Sequence, residues 1–550
     1  QQNASLEKNS QDLGQKTNRN HGRNYACSGS SQQISTLRRF HAMAFMESGR
    51  EVPLNDDVSE EAASKFFGIR QWLYTWRKQL LALALIGITF LICWESANEF
   101  SSFQTPHVAK TRGLPGHLAG VNLGGWLCLE DWFYSGNSGL HVSTIDHDGQ
   151  GRCLPPLRSI PWTSEGNLTF ELNRSKGSNF TIQTFVAHRH SFIGESDLSA
   201  ISSLGLQMVR LPITWAAFAD ALAPLDQKIY ASHDPKKDTV IVPDPFYTDR
   251  VAFATIPRDW LEEFLVRCSR HGIRVLLDLH AFPGGSSSGT YNGVWPQKPA
   301  FWRNKTLIGH TELSQVGLWI VGAAVGWLEH LNDEAKSGLV GLTVMNEPAH
   351  LNSGENFASE DDVLRWLADA AQVFRISKLP REGKKLYMQM IDTAFKNFTA
   401  TVVPWFHKTF SDTERSSWVV ADQHWYVAWD SQCDIRTDEG GAIACDAPLE
   451  IIRQKMQTCA SSFAQKFQNQ FGVQMAVSEF SAGTSEEALF ACQDRQVLLA
   501  FLQEQLSAWD SVGIQGFFWS WRMPYGKVFE PGWSLRWLSG LEDSADLPCD

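Results

Sequence analysis

The chain has 550 residues, a hydrophobic fraction of 43% and a formal net charge of -12. This length and composition allow one large globular domain with appendages, or several domains. Because a nucleic acid partner requires a basic surface, the acidic balance argues against one. The 22 tryptophans are a modest indication of a carbohydrate ligand, since an indole ring covers the flat C–H face of a sugar, although most of them should pack in the core.

The first 116 residues differ in composition from the rest. Residues 1–70 are rich in Gln, Asn, Ser and mixed charge without sustained periodicity, which predicts a disordered tail. Within residues 71–95, the uncharged run LLALALIGITFLICW (80–94) follows basic and aromatic residues, which favours a transmembrane signal anchor. The run is shorter than the about 20 residues of a typical span, so a buried helix or signal-peptide core is the alternative.

This anchor predicts a single-pass type II topology. The excess of Arg and Lys before the apolar run places the tail in the cytosol. After a stalk at 96–116, residues 117–550 should then lie outside the cell or in the lumen of the secretory pathway. The cysteines agree, because eight of the ten follow the run, which is compatible with disulfides in an oxidising compartment. N-x-[ST] glycosylation sequons also follow it, and the three within 167–181 suggest an exposed, glycosylated insertion; they begin at Asn167, Asn173, Asn179, Asn304 and Asn397.

From residue 117 onward, short apolar segments alternate with amphipathic ones. Apolar residues recur every three or four positions in helix candidates at 258–272, 313–331 and 361–376. Repeated strand–helix alternation predicts a (β/α)8 TIM barrel rather than an open doubly wound sheet. The additional length is expected in loops, chiefly at 134–190 and 221–257. The strand candidates are 119–125, 206–213, 273–280, 341–348, 386–391, 418–426, 473–480 and 515–521.

Polar or aromatic residues stand at the ends of most predicted strands. Because these ends share one face of a barrel, the side chains should line one pocket. Glu347 and Glu479 are placed there to act as the two carboxyl groups that cut a glycosidic bond. Either glutamate alone would more often be an ordinary loop or strand-end residue. Their predicted neighbours are Asn122, Glu130, Arg210, His280, Asn346, His424, Tyr426 and Trp519.

The chemistry assigns different protonation states to the two glutamates. Glu479, as nucleophile, must stay ionised, so Arg210, Tyr426 or a histidine should donate to it. Glu347, as general acid, must start protonated, so its surroundings are expected to be more apolar. Asn346 would bind the sugar 2-hydroxyl, and Trp519 would lie under the sugar ring. Ion pairing or core packing is the structural alternative for each supporting residue.

Seven motifs occur in order between about residue 117 and the C-terminus: GVNLGGWLCLEDW, MVRLPI, DLHAFPGG, MNEP, DQHWY, SEFSAG and FFWSWR. Together they resemble glycoside hydrolase family 5 of clan A, and most of all its exo-β-1,3-glucanase (glucan 1,3-β-glucosidase) branch. The resemblance implies a retaining mechanism without cofactor or metal, with Glu347 as acid/base and Glu479 as nucleophile. It also implies a contact from Glu130 to the terminal glucose and a subsite lined by Arg210, His280, Asn346, His424, Tyr426 and Trp519.

The chain departs from the family pattern in its substrate loops. Secreted yeast members commonly continue LEPW after GGWL, whereas this chain reads LEDWFYSG. The aromatic pair that clamps the next sugar is matched only loosely, by Trp429 and Tyr291, so exo or endo action stays open. Bridges between Cys459 and Cys549 and between Cys433 and Cys445 fit the resemblance, but spacing does not determine connectivity.

Three functions are compatible with these features. The leading hypothesis is a monomeric, membrane-anchored enzyme that releases glucose from β-1,3-glucan at or near the cell wall, by hydrolysis or by transglycosylation. A related β-glucosidase acting on β-1,6-glucan or glucosyl lipids is the enzymatic alternative. The non-enzymatic alternative is a membrane-anchored glucan-binding protein, which is less expected because all the named catalytic roles are filled.

Overall fold

Eight parallel strands close into a barrel in the computed structural model of the chain, which describes residues 118–131, 133, 162–350, 358–391, 394–429, 445, 447–484, 492–523 and 530–541. Each barrel strand pairs with the next one along the chain, and the first pairs with the last. The predicted fold class is therefore confirmed. The barrel strands are β1 (Gly120–Asn122), β2 (Met208–Thr214), β5 (Arg274–Ala281), β6 (Leu339–Thr343), β7 (Lys385–Gln389), β8 (Val419–His424), β9 (Met475–Phe480) and β10 (Ile514–Phe518).

All eight barrel strands lie within or overlap the eight predicted segments. They are buried almost throughout, as expected for parallel strands covered by helices on the outside. Two further strands, β3 (Ile241–Pro243) and β4 (Ala252–Ala254), form an antiparallel hairpin outside the barrel.

The three predicted helices are confirmed as α5 (Arg258–Arg270), α6 (Leu313–Glu329) and α8 (Glu360–Ile376). Ser359 is the N-cap of α8, because its hydroxyl accepts a hydrogen bond from the Asp362 amide. The other described helices are α1 (Glu165–Lys176), α2 (Ser178–Phe192), α3 (Glu195–Ser203), α4 (Gln227–Tyr230), α7 (Asp333–Ser337), α9 (Phe398–Thr409), α10 (Asp412–Ser417), α11 (Leu449–Phe471), α12 (Arg495–Asp510), α13 (Glu530–Trp533) and α14 (Leu535–Leu538).

The prediction of long loops at 134–190 and 221–257 is wrong for the described part of both segments. Residues from Glu165 onward form α1 and α2, which are separated by Gly177 at a φ of 84° that favours glycine. Residues 221–257 contain α4 and the β3–β4 hairpin. The sequences of the two helices have little apolar periodicity, so they gave no helical signal.

The sequons therefore have different settings from the exposed insertion that was expected. Asn167 is half-buried on α1, and the hydroxyl of its sequon partner Thr169 is buried against the Glu165 carbonyl. Asn173 is also half-buried, whereas Asn179 and Asn397 are exposed. The half-buried Asn304 side chain donates to the Ala300 carbonyl. Glycosylation of all five stays a prediction.

The barrel interior changes from apolar to polar toward the carboxyl ends of the strands. A lower layer consists of apolar side chains from all eight strands or their starts: Ala119, Met208, Leu276, Val340, Tyr387, Val420, Ala476 and Phe517. Side chains two residues further along a strand point to the same face. Five of these positions carry buried polar side chains, and all of them except Gln389 form the base of the candidate site: Arg210, Asp278, Gln389, Asp422 and Ser478.

A disulfide joins Cys445 and Cys492, with a Cα–Cα distance of 5.4 Å. The predicted pairing of Cys433 with Cys445 is therefore wrong. The partner of Cys445 is Cys492, which lies 47 residues further along the chain, after β9. Folding of the loops brings the two residues together. Cys459 is also disulfide-bonded, but Cys549 lies outside the described residues, so their pairing stays a prediction. Cys128 and Cys268 carry free, buried thiols.

None of the helices in the described ranges is long and apolar enough to cross a membrane. The predicted tail at 1–70, the anchor at 71–95 and the stalk at 96–116 all lie outside those ranges, and they stay predictions.

Candidate active site

Glu347 and Glu479 meet at the carboxyl ends of the barrel strands. Glu347 lies just after β6 and Glu479 lies in β9, and both side chains are buried. A carboxylate oxygen of each lies within 4.8 Å of the other and of a His424 ring nitrogen. The two glutamates predicted from the sequence therefore face each other across one pocket.

Backbone hydrogen bonds continue beyond the strands and fix these residues. The Asn346 amide donates to the Leu279 carbonyl at 3.0 Å, which extends the β5–β6 pairing to the position next to Glu347. The Trp425 amide donates to the Glu479 carbonyl at 3.0 Å. Glu347 itself has a φ of 40°, in the left-handed region that non-glycine residues seldom occupy. Such strain is typical of functional residues held in place by their surroundings.

Glu479 is held by the two donors that the sequence predicted. Arg210 Nη1 lies 2.5 Å from Glu479 Oε1, and the Tyr426 hydroxyl donates to Oε2 at 2.7 Å. Both donors stabilise the ionised carboxylate that a nucleophile requires. Arg210 is fully buried and also donates to the side-chain oxygens of Asn122 and Asn346, at 3.0 and 2.7 Å.

Glu347 lies in more polar surroundings than predicted. His424 Nδ1 is 2.8 Å from Glu347 Oε1, and His350 Nε2 is 4.0 Å from Oε2. The Tyr291 hydroxyl donates to the Ser288 carbonyl at 3.2 Å and lies close enough to this carboxylate to favour its ionised form. Burial alone would raise the pKa of Glu347, but the charges of His350 and His424 and the hydrogen bond from His424 outweigh it and hold the pKa well below its usual range. The expectation of an apolar environment is therefore wrong.

His424 shares a proton with this glutamate. Burial disfavours the charged imidazole, but the Glu479 and Glu347 carboxylates outweigh burial and raise the pKa of His424. Its Nδ1 lies 2.8 Å from Glu347 and 3.3 Å from Glu479. Because the shifts of Glu347 and His424 oppose each other, the two groups titrate as a pair, and the free site keeps their common proton on the histidine.

Two buried aspartates that the sequence prediction missed, Asp278 and Asp422, orient the side chains around the glutamates. Asp278 Oδ2 lies 2.6 Å from His280 Nδ1 and 3.0 Å from Arg210 Nη2. Asp422 accepts from the Ser478 hydroxyl at 2.6 Å, and that hydroxyl lies 3.1 Å from His424 Nε2. Burial raises the pKa of Asp422 to about 6. Each aspartate stands two residues before a histidine predicted in the site. Because residues two apart in a strand point to the same face, this spacing could have identified the aspartates from the sequence.

Aromatic rings form the sides of the pocket. The His280 ring stacks on Trp519 with centroids 5.8 Å apart, and Tyr291 meets His280 edge to face at 6.1 Å. Trp519 itself is 3% exposed. On the other side Trp429, 49% exposed, lies edge to face with Tyr426 at 5.1 Å. Tyr291 and Trp429 are the two residues matched loosely to a sugar clamp. Tyr291 lies next to Glu347, and Trp429 lies next to Tyr426, which donates to Glu479.

Glu130 belongs to the same region. Its side chain is buried in the loop that follows β1. Burial raises the pKa of Tyr426 well above its ordinary value, and the charges of Glu479, Glu347 and, last, Glu130 contribute. Glu130 is thus near enough to act electrostatically on the tyrosine that contacts Glu479, as expected for a residue that contacts the same sugar.

The described residues contain one group that could offer three atoms to a metal ion, namely Glu347, His424 and Glu479. Arg210 already neutralises Glu479, and its guanidinium would repel a cation at this place. The predicted lack of a metal or cofactor stays a prediction.

No family model matches the chain. Curated relatives match part of it. A glucan 1,3-beta-glucosidase 1 from Schizosaccharomyces pombe is 24% identical over 231 residues, or 42% of this chain and 43% of the relative. A probable glucan 1,3-beta-glucosidase A from Aspergillus niger is 26% identical over 43% of each chain. The chain thus spans less than half of the length of these relatives.

Solved structures match much of the chain at low identity and low TM-score. A rutinosidase from Aspergillus niger matches 78% of this chain and 98% of its own, at a TM-score of 0.48 and 15% identity. A broad-specificity endoglucanase from an uncultured bacterium matches 76% of this chain and 94% of its own, at a TM-score of 0.39 and 11% identity.

The barrel topology gives the fold class, and the sequence relatives give a direction for the function. The chain is a (β/α)8 barrel protein with distant similarity to glycosidases, which agrees with the resemblance to glycoside hydrolase family 5 that the motifs indicated. Its distant homologues include proteins named glucan 1,3-beta-glucosidase.

Proposed function

We propose that this protein is a retaining glycoside hydrolase that releases glucose from β-1,3-glucan, with Glu347 as acid/base and Glu479 as nucleophile. The observation that carries the proposal is the closeness of the two carboxylates, since one oxygen of Glu347 lies within 4.8 Å of one oxygen of Glu479. Retaining enzymes place the carboxyl groups about 5–5.5 Å apart, whereas inverting enzymes leave about 6.5–9.5 Å for a water molecule. The close pair favours direct attack by Glu479.

In the first step, Glu479 attacks the anomeric carbon and Glu347 gives its proton to the leaving glycosidic oxygen. The carbon–oxygen bond to the leaving group breaks as the bond to Glu479 forms. Arg210 and Tyr426 keep the nucleophile ionised and oriented. In the second step Glu347, now ionised, takes a proton from water, and the resulting hydroxide equivalent displaces Glu479 with a second inversion.

The proton for the first step comes from the Glu347–His424 pair. In the free site the charged histidine and the ionised glutamate form a buried ion pair. A sugar that fills the pocket excludes water, and the loss of solvation costs an ion pair more than it costs two neutral groups. Substrate binding therefore favours transfer of the proton across the 2.8 Å contact to Glu347, where the leaving group needs it.

The proposed substrate rests on the names of the relatives and on the residues of the pocket. Glu130 would grip the terminal glucose, while His280, Asn346 and Trp519 would surround the same ring. Tyr291 and Trp429 would contact the next sugar. We place this activity at the cell surface or in the secretory lumen, on a monomeric, glycosylated single-pass type II membrane protein that needs no cofactor. β-1,6-Glucan, glucosyl lipids and transfer to a sugar acceptor are the alternatives.

The test is proton NMR of the products while the full-length protein digests laminarin. Early release of β-glucose as the main product is the expected result, because double displacement retains the configuration. Early α-glucose would refute retention and with it the role of Glu479. Longer products would indicate endo cleavage or transfer.

The matched controls are Glu347→Gln and Glu479→Gln, which keep the side-chain volume and remove the acid or the nucleophile. Both should lose turnover while retaining affinity for laminarin in equilibrium binding. A wild type that binds laminarin but converts no glucan and no glucosyl lipid would instead support the glucan-binding protein.

A further inference from the structure

The start of α1 contacts the loop that carries Glu130. Glu165, the first residue of α1, accepts a hydrogen bond from the Leu129 amide through Oε2 at 2.9 Å. Leu129 directly precedes Glu130. The described positions of this loop are buried, so its backbone has few other ways to satisfy that amide.

The same segment also contacts the loop that carries Tyr291. Thr163 and Ser164 donate through their hydroxyls to the Trp295 carbonyl, at 2.6 and 2.8 Å. The Gly166 amide donates to the Gly293 carbonyl at 3.0 Å, and a Cβ at Gly166 would collide with that oxygen. Residues 163–166 therefore join two loops that reach the pocket from different strands.

The two loops also touch each other inside this arrangement. The Cys128 thiol lies 3.5 Å from the Tyr291 carbonyl oxygen, so the loop before Glu130 runs directly against the residue that contacts Glu347. A shift of Leu129 would therefore move Glu130 relative to Tyr291.

Burying a carboxyl group at the position of Glu165 costs free energy of desolvation. Its side chain is 1% exposed, and the buried Arg189 is the cation that faces it. Arg189 itself donates to the Ala254 and Thr255 carbonyls. Burial, and then the charges of Glu165 and Glu130, raise the pKa of the nearby Cys128 thiol. Packing alone would favour an apolar residue here. The side-chain oxygen of Glu165 accepts from the Leu129 amide, which an apolar residue could not do.

We propose that Glu165 is a positioning residue that fixes Glu130 relative to Tyr291 through the Leu129 amide, and thereby sets the fit of the terminal sugar. The inference rests on the proposed function, because it requires Glu130 to contact the substrate. Glu165 acts through Glu130 and does not itself touch the sugar.

The test is a double-mutant cycle on the full-length protein with an aryl β-D-glucoside. Glu165→Ala removes the acceptor and should raise KM about tenfold with kcat changed less than twofold, the size expected for one buried hydrogen bond. In a Glu130→Ala background the same change should have almost no further effect, since its target is gone. Glu165→Gln keeps an acceptor oxygen and should restore KM to within about twofold of the wild type.

The control is Glu171→Ala, which removes a carboxylate from the same helix that pairs only with the exposed Arg174 and should change neither constant. If Glu165→Ala fails to fold, the comparison of Glu165→Gln with Glu165→Leu replaces it, with only the leucine variant raising KM. Additive effects of Glu165→Ala and Glu130→Ala, or a loss of kcat at constant KM, would overturn this inference alone. A wild type that hydrolyses no β-glucoside would overturn the proposed function and this inference with it.

Discussion

Replacing Glu165 by Gln should make the protein less sensitive to rising pH. Burial raises the pKa of Glu165 from 4.5 to about 7, although the Leu129 amide and Arg189 act in the opposite direction. The folded state therefore keeps a proton on Glu165 between these two values, whereas the unfolded chain has already released it. A group with a raised folded pKa contributes stability that is complete below the unfolded pKa and is lost as pH rises through the folded one.

The magnitude follows from the shift. A shift of about 2.5 units at 1.36 kcal/mol per unit gives about 3 kcal/mol, lost by the wild type between about pH 4.5 and pH 7. Glutamine does not titrate and loses nothing over this range. With an unfolding entropy of about 2.1 cal/mol/K per residue and roughly 430 barrel residues, this corresponds to about 4 °C in Tm.

The assay is thermal unfolding by near-UV circular dichroism at pH 4.5 and pH 8. The difference in Tm between Glu165→Gln and the wild type should grow by about 4 °C from the lower to the higher pH, and any constant cost of the substitution cancels. Glu171→Gln, on the exposed face of the same helix, should show a constant difference. If the Glu165→Gln difference is equally constant, then Glu165 is not buried as described and the reasoning fails.

Four further predictions concern the site and the disulfide. Glu479→Gln should lower kcat by at least about 10³-fold while the Kd for laminarin-derived oligosaccharides changes little, and comparable turnover would exclude Glu479 as nucleophile. The lysine of Arg210→Lys cannot contact Glu479, Asn122 and Asn346 at once, as the arginine does. We therefore expect kcat to fall about 100-fold or more and Tm to drop, and an active, stable variant would contradict this. His424→Gln removes the group that stores the proton, so the alkaline limb of the kcat/KM profile should move to lower pH, and an unchanged limb would refute the shared proton. Cys492→Ser opens a loop of 47 residues and should lower the free energy of unfolding in non-reducing denaturant titrations by about 4 kcal/mol, with no loss if the bridge does not form in solution.

The barrel and the catalytic face could be predicted because their signals are local. A parallel strand buried on both sides is a run of Val, Leu, Met and Phe, and eight such runs with helical segments between them leave few alternative folds. The end of each run then places residues such as Arg210, Glu347 and Glu479 on one face before any contact is known.

The errors concern features that depend on tertiary contacts. The surroundings of Glu347 were predicted as apolar because His424 was placed in the pocket without a specific partner and His350 was not placed there at all, whereas both approach Glu347. The helices α1 and α2 were predicted as loop because their packing, rather than their propensity, stabilises them. The partner of Cys445 depends on the path of loops whose shape has no sequence signal.

The charges in the pocket connect these errors to the mechanism. Four carboxyl groups, those of Asp278, Glu347, Asp422 and Glu479, surround Arg210 and His424 in a buried space. Burial raises the pKa of Asp422 to about 6, so this carboxyl group keeps its proton at a higher pH than a solvated aspartate does. In the proposed mechanism, nucleophilic attack would use up the negative charge of Glu479, and His424 would then hold its proton less tightly at the moment when Glu347 needs one. Under this proposal, the polar surroundings of Glu347 are the means by which the site delivers a proton.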